Sequence, residues 1–190
     1  IGREAAIYRE LAAQRGGGNG WRDFRIERVQ DESTIIRSFT LVPVDGGPVL
    51  RHKPGQYLGF ALDLPGIGKL RRNYSISSAP DDRAYRITVK REASPGVPAG
   101  QASTWLHDHG VPGTVLSVAA PAGDFFLDPA EARPLVLASG GVGLTPLMSM
   151  LETLSVAAPQ HPVLWAHGTL DGSTHAMGKQ VRALSARMPN

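Results

Sequence analysis

The sequence predicts an antiparallel β-barrel followed by a truncated parallel α/β domain, with a short helix at the N-terminus. Two observations carry this prediction. Six short β-rich runs separated by turn residues fill residues 24–119, which is typical of an antiparallel barrel or sandwich. After Pro134 an apolar run, a glycine loop and an apolar helical stretch follow one another, which is the order of a parallel β–α unit.

Composition excludes several classes of protein. The 190 residues carry 20 Lys and Arg against 17 Asp and Glu, and a net charge of +3 is too small to indicate a nucleic-acid partner. The absence of cysteine excludes disulfides, iron–sulfur ligation and a thiol nucleophile. No run approaches the roughly 18 apolar residues that a membrane span needs, so we expect no span. A reducing compartment is compatible with this composition, and we expect a cytoplasmic location.

The N-terminal segment is rich in Ala, Glu, Arg and Leu over residues 1–15, which predicts a helix. Residues 16–20 are almost all glycine and mark a break between units. We therefore treat residues 1–19 as the end of an upstream domain and its linker.

The predicted barrel begins after this break. Its strand runs are residues 24–29, 35–42, 56–62, 73–77, 85–90 and 115–119. Residues 85–90 alternate between apolar and polar side chains, as a strand with one wet face does. One helix, from about Ser103 to His109, interrupts the strands.

The predicted α/β domain has two strands and two helices. The strands are residues 135–138 and 163–166, and the helices are residues 147–154 and 179–188. Since a parallel sheet is normally built from more units than this, we expect the domain to be incomplete.

The first candidate site is the glycine loop of residues 139–146. Glycines between a strand and a helix let the backbone approach a diphosphate, and the free N–H groups at the helix start attract its charge. Pro146 suits the first helical turn, where its missing N–H costs nothing. A tight β–α turn with no ligand also uses glycine, however. No acid ends the second strand, and the nearest acid is Asp171.

The second and third candidates lie in the barrel. Arg72 offers a guanidinium for a phosphate, Tyr74 an aromatic face two residues later, and Ser75 a hydroxyl. The alternative for this segment is an edge strand with solvated arginines and a core tyrosine. In residues 100–106 we expect Ser103 to cap a helix whose start holds a second phosphate, or simply an ordinary capped helix. Tyr57 is either a core residue or part of a ring pocket.

The histidines predict neither a metal site nor a hydrolytic site. His107 and His109 are two residues apart on a helix and so point to different sides, with no carboxylate cluster beside them, and we expect no metal site. The other histidines are scattered, and no serine lies in a nucleophile-elbow pattern, so a hydrolytic triad is not predicted.

The order of these motifs resembles the ferredoxin–NADP reductase superfamily. More narrowly, Val89-Lys90-Arg91-Glu92, residues 103–107 and residues 120–126 look like the reductase part of flavohaemoglobins, which are nitric oxide dioxygenases. Residues 3–8 and 21–24 are similar to the last globin helix and the linker of that family.

The resemblance implies two cofactor sites. Arg72 would hold the FAD pyrophosphate, Tyr74 would lie against the isoalloxazine, and Ser75 would lie near the flavin nitrogen that accepts hydride, so Tyr74 and Ser75 are the residues closest to the chemistry. The implied FAD-binding residues are Tyr57, Arg72, Asn73, Tyr74, Ser75, Gln101 and Ser103. The implied NAD(P)H-binding residues are Gly141, Val142, Gly143, Leu144, Thr145 and Pro146, with Leu144 where many relatives carry a glutamine.

The implied function is to pass electrons from NAD(P)H through FAD to haem, which in the intact protein converts nitric oxide to nitrate. Residues 20–127 would form the FAD-binding barrel and residues 128–190 part of the NAD(P)-binding domain. Haem would be held by the globin domain of the same polypeptide, which this chain lacks apart from its tail, and we expect the chain by itself to be impaired in hydride transfer. Two alternatives stay open: a reductase that serves an iron–sulfur or oxygenase partner, and a flavin- or nucleotide-binding module without turnover.

Overall fold

The computed structural model describes residues 20–93, 96, 98–131 and 133–188. The predicted N-terminal helix lies outside these residues. The first part of the described chain is one antiparallel sheet of six strands with one helix. These elements are β1 (Trp21–Asp31), β2 (Ile36–Pro43), β3 (Tyr57–Leu64), β4 (Gly68–Ser75), β5 (Tyr85–Lys90), α1 (Gln101–His109) and β6 (Val115–Ala119).

The sheet curls into a barrel, as predicted. Its strand order is β4-β3-β6-β1-β2-β5, and the two outer strands are brought together by an antiparallel bridge between Ile76 and Ile87. Beside this bridge, the backbone N–H of Ser77 donates to the carbonyl of Arg86 at 2.7 Å. A register shift in β1 between Ile26 and Arg28 adds the local twist that curvature requires.

Alternate side chains of the strands fill the barrel core, because successive residues of a strand point to opposite faces. Leu58, Phe60, Leu62 and Leu64 of β3 are all buried, whereas the residues between them are more exposed. Leu106 of α1 is fully buried in the same core, so α1 packs against the barrel.

Strand β4 is longer than predicted and starts earlier. The prediction was residues 73–77, but pairing with β3 begins at Gly68 opposite Leu64 and ends at Ser75. The charged residues Lys69, Arg71 and Arg72 hid this part of the strand, because an edge strand with mostly exposed side chains has little apolar periodicity.

The second part of the described chain is a small parallel α/β unit, in the predicted order. It consists of β7 (Leu135–Gly140), a 3₁₀ turn (Gly141–Gly143), α2 (Leu144–Ala157), β8 (Val163–Gly168) and α3 (Gly178–Ser185). The two strands pair in parallel. Helix α3 ends three residues before the predicted end, at a turn in which the N–H of Met188 bonds to the carbonyl of Ser185.

Helix α2 of this unit packs directly against the barrel. Ile36 of β2 lies in one apolar cluster with Leu144 and Met148 of α2. Gly55, before β3, has φ of 108° and lies so close to Met150 that a Cβ there would be 2.6 Å from its terminal methyl. The 3₁₀ turn that leads into α2 contacts β5. In the part of the chain that is described, no helix is long and apolar enough to cross a membrane.

Candidate functional site

A cavity of about 490 Å³ lies where the barrel meets the start of α2. It brings together three of the segments that the sequence singled out: the end of β4, the start of α1 and the glycine loop. The lining residues are Arg72, Asn73, Tyr74, Ser75, Thr88, Val89, Lys90, Glu92, Gly100, Gln101, Ala102, Ser103, Val142, Gly143, Thr145 and Pro146. A cavity of this volume is in the range that holds small molecules and cofactors.

The β4 side of the cavity combines a guanidinium with an aromatic ring. Arg72 is exposed and, among the described residues, donates only to the neighbouring carbonyl of Arg71, at 2.7 Å, which leaves its other donors available to a ligand. The Tyr74 ring packs edge-on against Phe60, with ring centroids 5.4 Å apart. Burial raises the pKa of Tyr74 to about 12, against the lowering effect of Arg72, so the phenol is neutral at ordinary pH.

The α1 side of the cavity is the start of a helix. Its N-cap is Gly100, without a side-chain cap, so the prediction that Ser103 caps the helix is wrong. Ser103 lies in the first turn, where its hydroxyl donates to the carbonyl of Gly100 at 3.1 Å and accepts from the N–H of Glu92 at 3.2 Å. Among the described residues, no side chain caps the first N–H groups of α1, which lack partners within the helix and can bind an anion.

The glycine loop forms the third side of the cavity, but not all of its residues line that cavity. Val142, Gly143, Thr145 and Pro146 line the cavity. Leu144 does not, because its side chain is fully buried with Ile36 and Met148. A contribution of Leu144 to a ligand is thus limited to its backbone.

Gly141 lines a second cavity of about 520 Å³ beside the first. Its lining residues are Ile35, Ile36, Lys90, Gly140, Gly141, Gly168, Thr169, Leu170 and Thr174. It lies at the carboxyl ends of β7 and β8, which is where parallel sheets bind their ligands. Lys90 lines both cavities.

Sequence reasoning missed several lining residues. Thr88 and Lys90 lie on the same face of β5, and the alternation of residues 85–90 was the available signal for both. Glu92 adds a carboxylate 3.2 Å from the Lys90 ammonium. Tyr57, by contrast, was placed in the ring pocket but does not line the cavity: it pairs with Ser75 across β3 and β4, and its ring lies over Gly123.

Asp171 is the acid nearest the end of β8, and it is used within its own turn. Its carboxylate accepts from the N–H of Ser173 at 2.8 Å, from the Ser173 hydroxyl at 2.7 Å and from the N–H of Thr174 at 3.1 Å. These bonds, led by the Ser173 hydroxyl, lower the pKa of Asp171. The carboxylate therefore serves to shape the loop after β8.

The histidines singled out for metal binding have separate partners. One ring nitrogen of His107 lies 2.9 Å from the carbonyl of Val89, and the His109 ring packs edge-on against Trp105. Over the described ranges, no three His, Asp or Glu side chains come together at metal-binding distance.

The sequence of the chain is similar to those of known proteins. The chain is 48% identical over 185 residues to a flavohemoprotein of Xylella fastidiosa and 44% identical over 192 residues to one of Bordetella pertussis. These matches cover 97% and 100% of the chain, which spans only 45% and 47% of the two relatives. No protein-family profile matches the chain.

A solved structure shows which family this chain belongs to. The flavohem-like FAD/NAD-binding domain of nitric oxide dioxygenase from Vibrio cholerae superposes with a TM-score of 0.84 at 37% identity, over 88% of this chain and 70% of that one. The chain belongs to the flavohaemoglobin FAD/NAD-binding reductase family. The resemblance that the motifs indicated is thereby confirmed. The barrel with its parallel α/β unit is the reductase fold of this flavohaemoglobin family.

Proposed function

We propose that the chain is the electron-transferring reductase module of a flavohaemoglobin, binding FAD and taking electrons from NAD(P)H. One observation carries the proposal: a single cavity is lined by residues 72–75, by the start of α1, and by Val142, Gly143, Thr145 and Pro146 of the glycine loop. In this proposal residues 20–127 form the FAD domain and residues 128–190 belong to the NAD(P) domain.

The residues around the cavity fit FAD chemically. Arg72 and the N–H groups at the start of α1 would hold the pyrophosphate, since a guanidinium and a helix N-terminus both favour a diphosphate. Tyr74 would lie against the isoalloxazine with Asn73 and Ser75 beside it. Gln101 and Ser103 would contribute mainly through their backbone, because the Ser103 hydroxyl is already bonded on both sides. Tyr57 would support Ser75 from the neighbouring strand rather than touch the flavin.

The glycine loop and the second cavity fit a nicotinamide nucleotide. Gly141 has φ of 52°, a left-handed conformation that glycine adopts at no steric cost, and a Cβ there would point into open space. Gly141, Val142, Gly143 and Thr145 would line the nucleotide, with Leu144 and Pro146 giving the helix start its shape. Ile35, Ile36 and Lys90 line the second cavity from the barrel side.

When bound, FAD supplies the redox chemistry by accepting hydride and releasing single electrons. The chain's own residues bind and orient. Tyr74 remains neutral because burial raises its pKa to about 12, so it offers the flavin a phenol rather than a phenolate. Among the described residues that line the cavity there is one carboxylate, Glu92, which is paired with Lys90, and the proposed hydride transfer needs no acid–base pair at this site.

The activity of the whole protein is a wider proposal. The chain spans about half the length of the flavohemoproteins that it matches. We propose that a globin domain of the same polypeptide holds haem, and that electrons passed to it support conversion of nitric oxide to nitrate. A cytoplasmic location stays a prediction.

The test is an anaerobic absorbance experiment. The purified chain is incubated with FAD and desalted, its spectrum is recorded, and NADH is then added. Retained flavin bands support the FAD site, and their bleaching supports delivery of hydride from the glycine-loop side. Loss of all flavin on desalting, together with unchanged weak binding in Arg72→Ala and Tyr74→Ala variants, would contradict the proposed FAD site.

A further inference from the structure

Glu152 of α2 lies outside both cavities, and its carboxylate joins the barrel to α2 and α3 through three hydrogen bonds. One of its oxygens, Oε1, accepts from Arg86 Nη2 at 2.6 Å and from Gln180 Nε2 at 2.5 Å. The other, Oε2, accepts from the backbone N–H of Ala79 at 2.8 Å. We call these four residues, Glu152, Arg86, Gln180 and Ala79, the Glu152 clasp.

The ion pair within the clasp differs from the others on the described part of the chain. Seven ion pairs are formed there, and only Arg86–Glu152 has both side chains less than one fifth exposed, at 16% and 15%. It is also the one among them that joins the barrel to α2. Exposed ion pairs contribute little, whereas breaking a buried one leaves a charge without compensation.

The barrel side of the clasp is held firmly. Arg86 also donates through Nε to the Ser77 hydroxyl at 3.1 Å and through Nη2 to the Ser77 carbonyl. Ser77 and Ala79 lie two and four residues after Ser75. Arg86 lies on β5, the strand that also carries Thr88 and Lys90. The β4 and β5 residues that line the cavity are therefore close in sequence to the barrel residues of the Glu152 clasp.

The other half of the clasp belongs to the glycine-loop side. Glu152 lies in α2, whose first turn is the cavity residues Thr145 and Pro146. Because a helix is stiff along its axis, fixing α2 at Glu152 also fixes its first turn. Gln180 ties α3 to the same carboxylate.

We infer that Glu152 is a positioning residue that holds the glycine-loop side of the cavity at a set distance from Tyr74 and Ser75. The effect of Glu152 on hydride transfer rests on the proposed function, because the rate of transfer between two bound cofactors depends on the distance between them. A misplacement of about 1 Å can cost about 100-fold in rate. Glu152 acts through α2 and touches no ligand.

The first test measures the arrangement without any cofactor. The chain has no cysteine, so Val115→Cys on β6 and Val156→Cys on α2, both at exposed positions, introduce two spin labels without competing thiols. The distance distribution between the labels is measured by pulsed electron resonance in this parent and with Glu152→Gln or Glu152→Ala added. We expect one narrow distribution in the parent and a broader or shifted one in both variants.

A matched control uses the same chemical change at an exposed pair. Glu131→Gln breaks the surface ion pair with Arg133 and should leave the distribution as in the parent. Circular dichroism checks that each variant is folded. If neither Glu152 variant folds, Arg86→Lys keeps the positive charge but cannot bond both Ser77 and Glu152 as the guanidinium does, and it too should broaden the distribution. Distributions that match the parent in the folded clasp variants would overturn the inference.

The second test measures the consequence. In the FAD-loaded chain, Glu152→Gln should slow anaerobic flavin reduction at saturating NADH by about 10- to 100-fold, with FAD affinity within about twofold of the parent. Broadened distances with an unchanged rate would refute the positioning role. A parent that retains no FAD, or whose FAD is not reduced by NADH, would count against the proposed function, and the distance measurement alone would then decide the clasp.

Discussion

The imidazole of His52 in the barrel lies 3.3 Å from the hydroxyl of Ser149 in α2, and both side chains are buried. The same ring nitrogen, Nε2, is 3.0 Å from the carbonyl of Ser78, whereas Nδ1 is buried with no hydrogen-bond partner among the described residues. Nε2 therefore carries the proton of a neutral imidazole, and a second proton on Nδ1 would be buried unpaired. Burial accordingly lowers the pKa of His52 from 6.5 to about 4.

This histidine makes the stability of the fold depend on pH. Between the unfolded pKa of 6.5 and the folded pKa of about 4, the unfolded chain binds a proton that the folded chain does not, so stability is lost as pH falls. We expect the free energy of unfolding in urea to drop by about 2 kcal/mol more between about pH 7 and pH 5 in the parent than in His52→Gln. An equal drop in both proteins would contradict the role of His52.

A second prediction concerns the close approach of α2 to Gly55. A Cβ on Gly55 would lie 2.5 Å from the carbonyl oxygen of Phe125 and 2.6 Å from the Met150 methyl, at φ of 108°. Gly55→Ala should lower the free energy of unfolding by about 3 kcal/mol, from backbone strain and overpacking together. Gly66→Ala is the matched control, because Gly66 has φ of 73° with no atom near its Cβ, and it should cost only about 1 kcal/mol. Similar losses in denaturant titrations of the two variants would show that the contact is unimportant.

A third prediction separates two adjacent arginines. Arg72 lines the cavity, whereas Arg71 lies over the Trp21 ring with its guanidinium carbon 5.5 Å from the ring centroid. If Arg72 holds a pyrophosphate, Arg72→Ala should weaken FAD about 10- to 100-fold and leave riboflavin, which has no phosphate, nearly unaffected. Arg71→Ala should change neither affinity beyond about twofold. Fluorescence titration with the two flavins measures this, and equal losses for both flavins would argue against a phosphate contact.

A fourth prediction concerns the outer face of the two-stranded sheet. Val136 of β7 and Leu164 of β8 are 66% and 62% exposed, although side chains on parallel strands are normally covered on both faces. We expect native-state hydrogen exchange to be faster in β7 and β8 than in β1 to β3, and the chain to aggregate through this face. Leu164→Thr should reduce light scattering on storage, with Leu62→Thr, in the barrel core, as a destabilising contrast. Equal protection in both sheets would be evidence against this prediction.

Much of the fold and the family was determined by local sequence. Alternation in residues 85–90 set one strand, the glycines between an apolar run and an apolar helix set the β–α unit, and the order of the motifs indicated the reductase family. These signals are local because side-chain periodicity and the freedom of glycine act within a few residues. The alternative of an edge strand for residues 71–75 was also correct as topology, and it is compatible with a ligand at that edge.

Tertiary structure determined which side chains line the cavity and which pack or bond elsewhere. Leu144 belongs to the glycine loop by sequence, but packing against Ile36 buries it away from the cavity. Ser103 is polar at a helix start, but the loop carrying Glu92 takes its hydroxyl. Arg86 and Glu152 are 66 residues apart, so no local pattern joins them, and their pairing arises only when α2 packs on the barrel. Contacts between distant segments depend on how whole elements pack, and neither periodicity nor propensity encodes that packing at a single position.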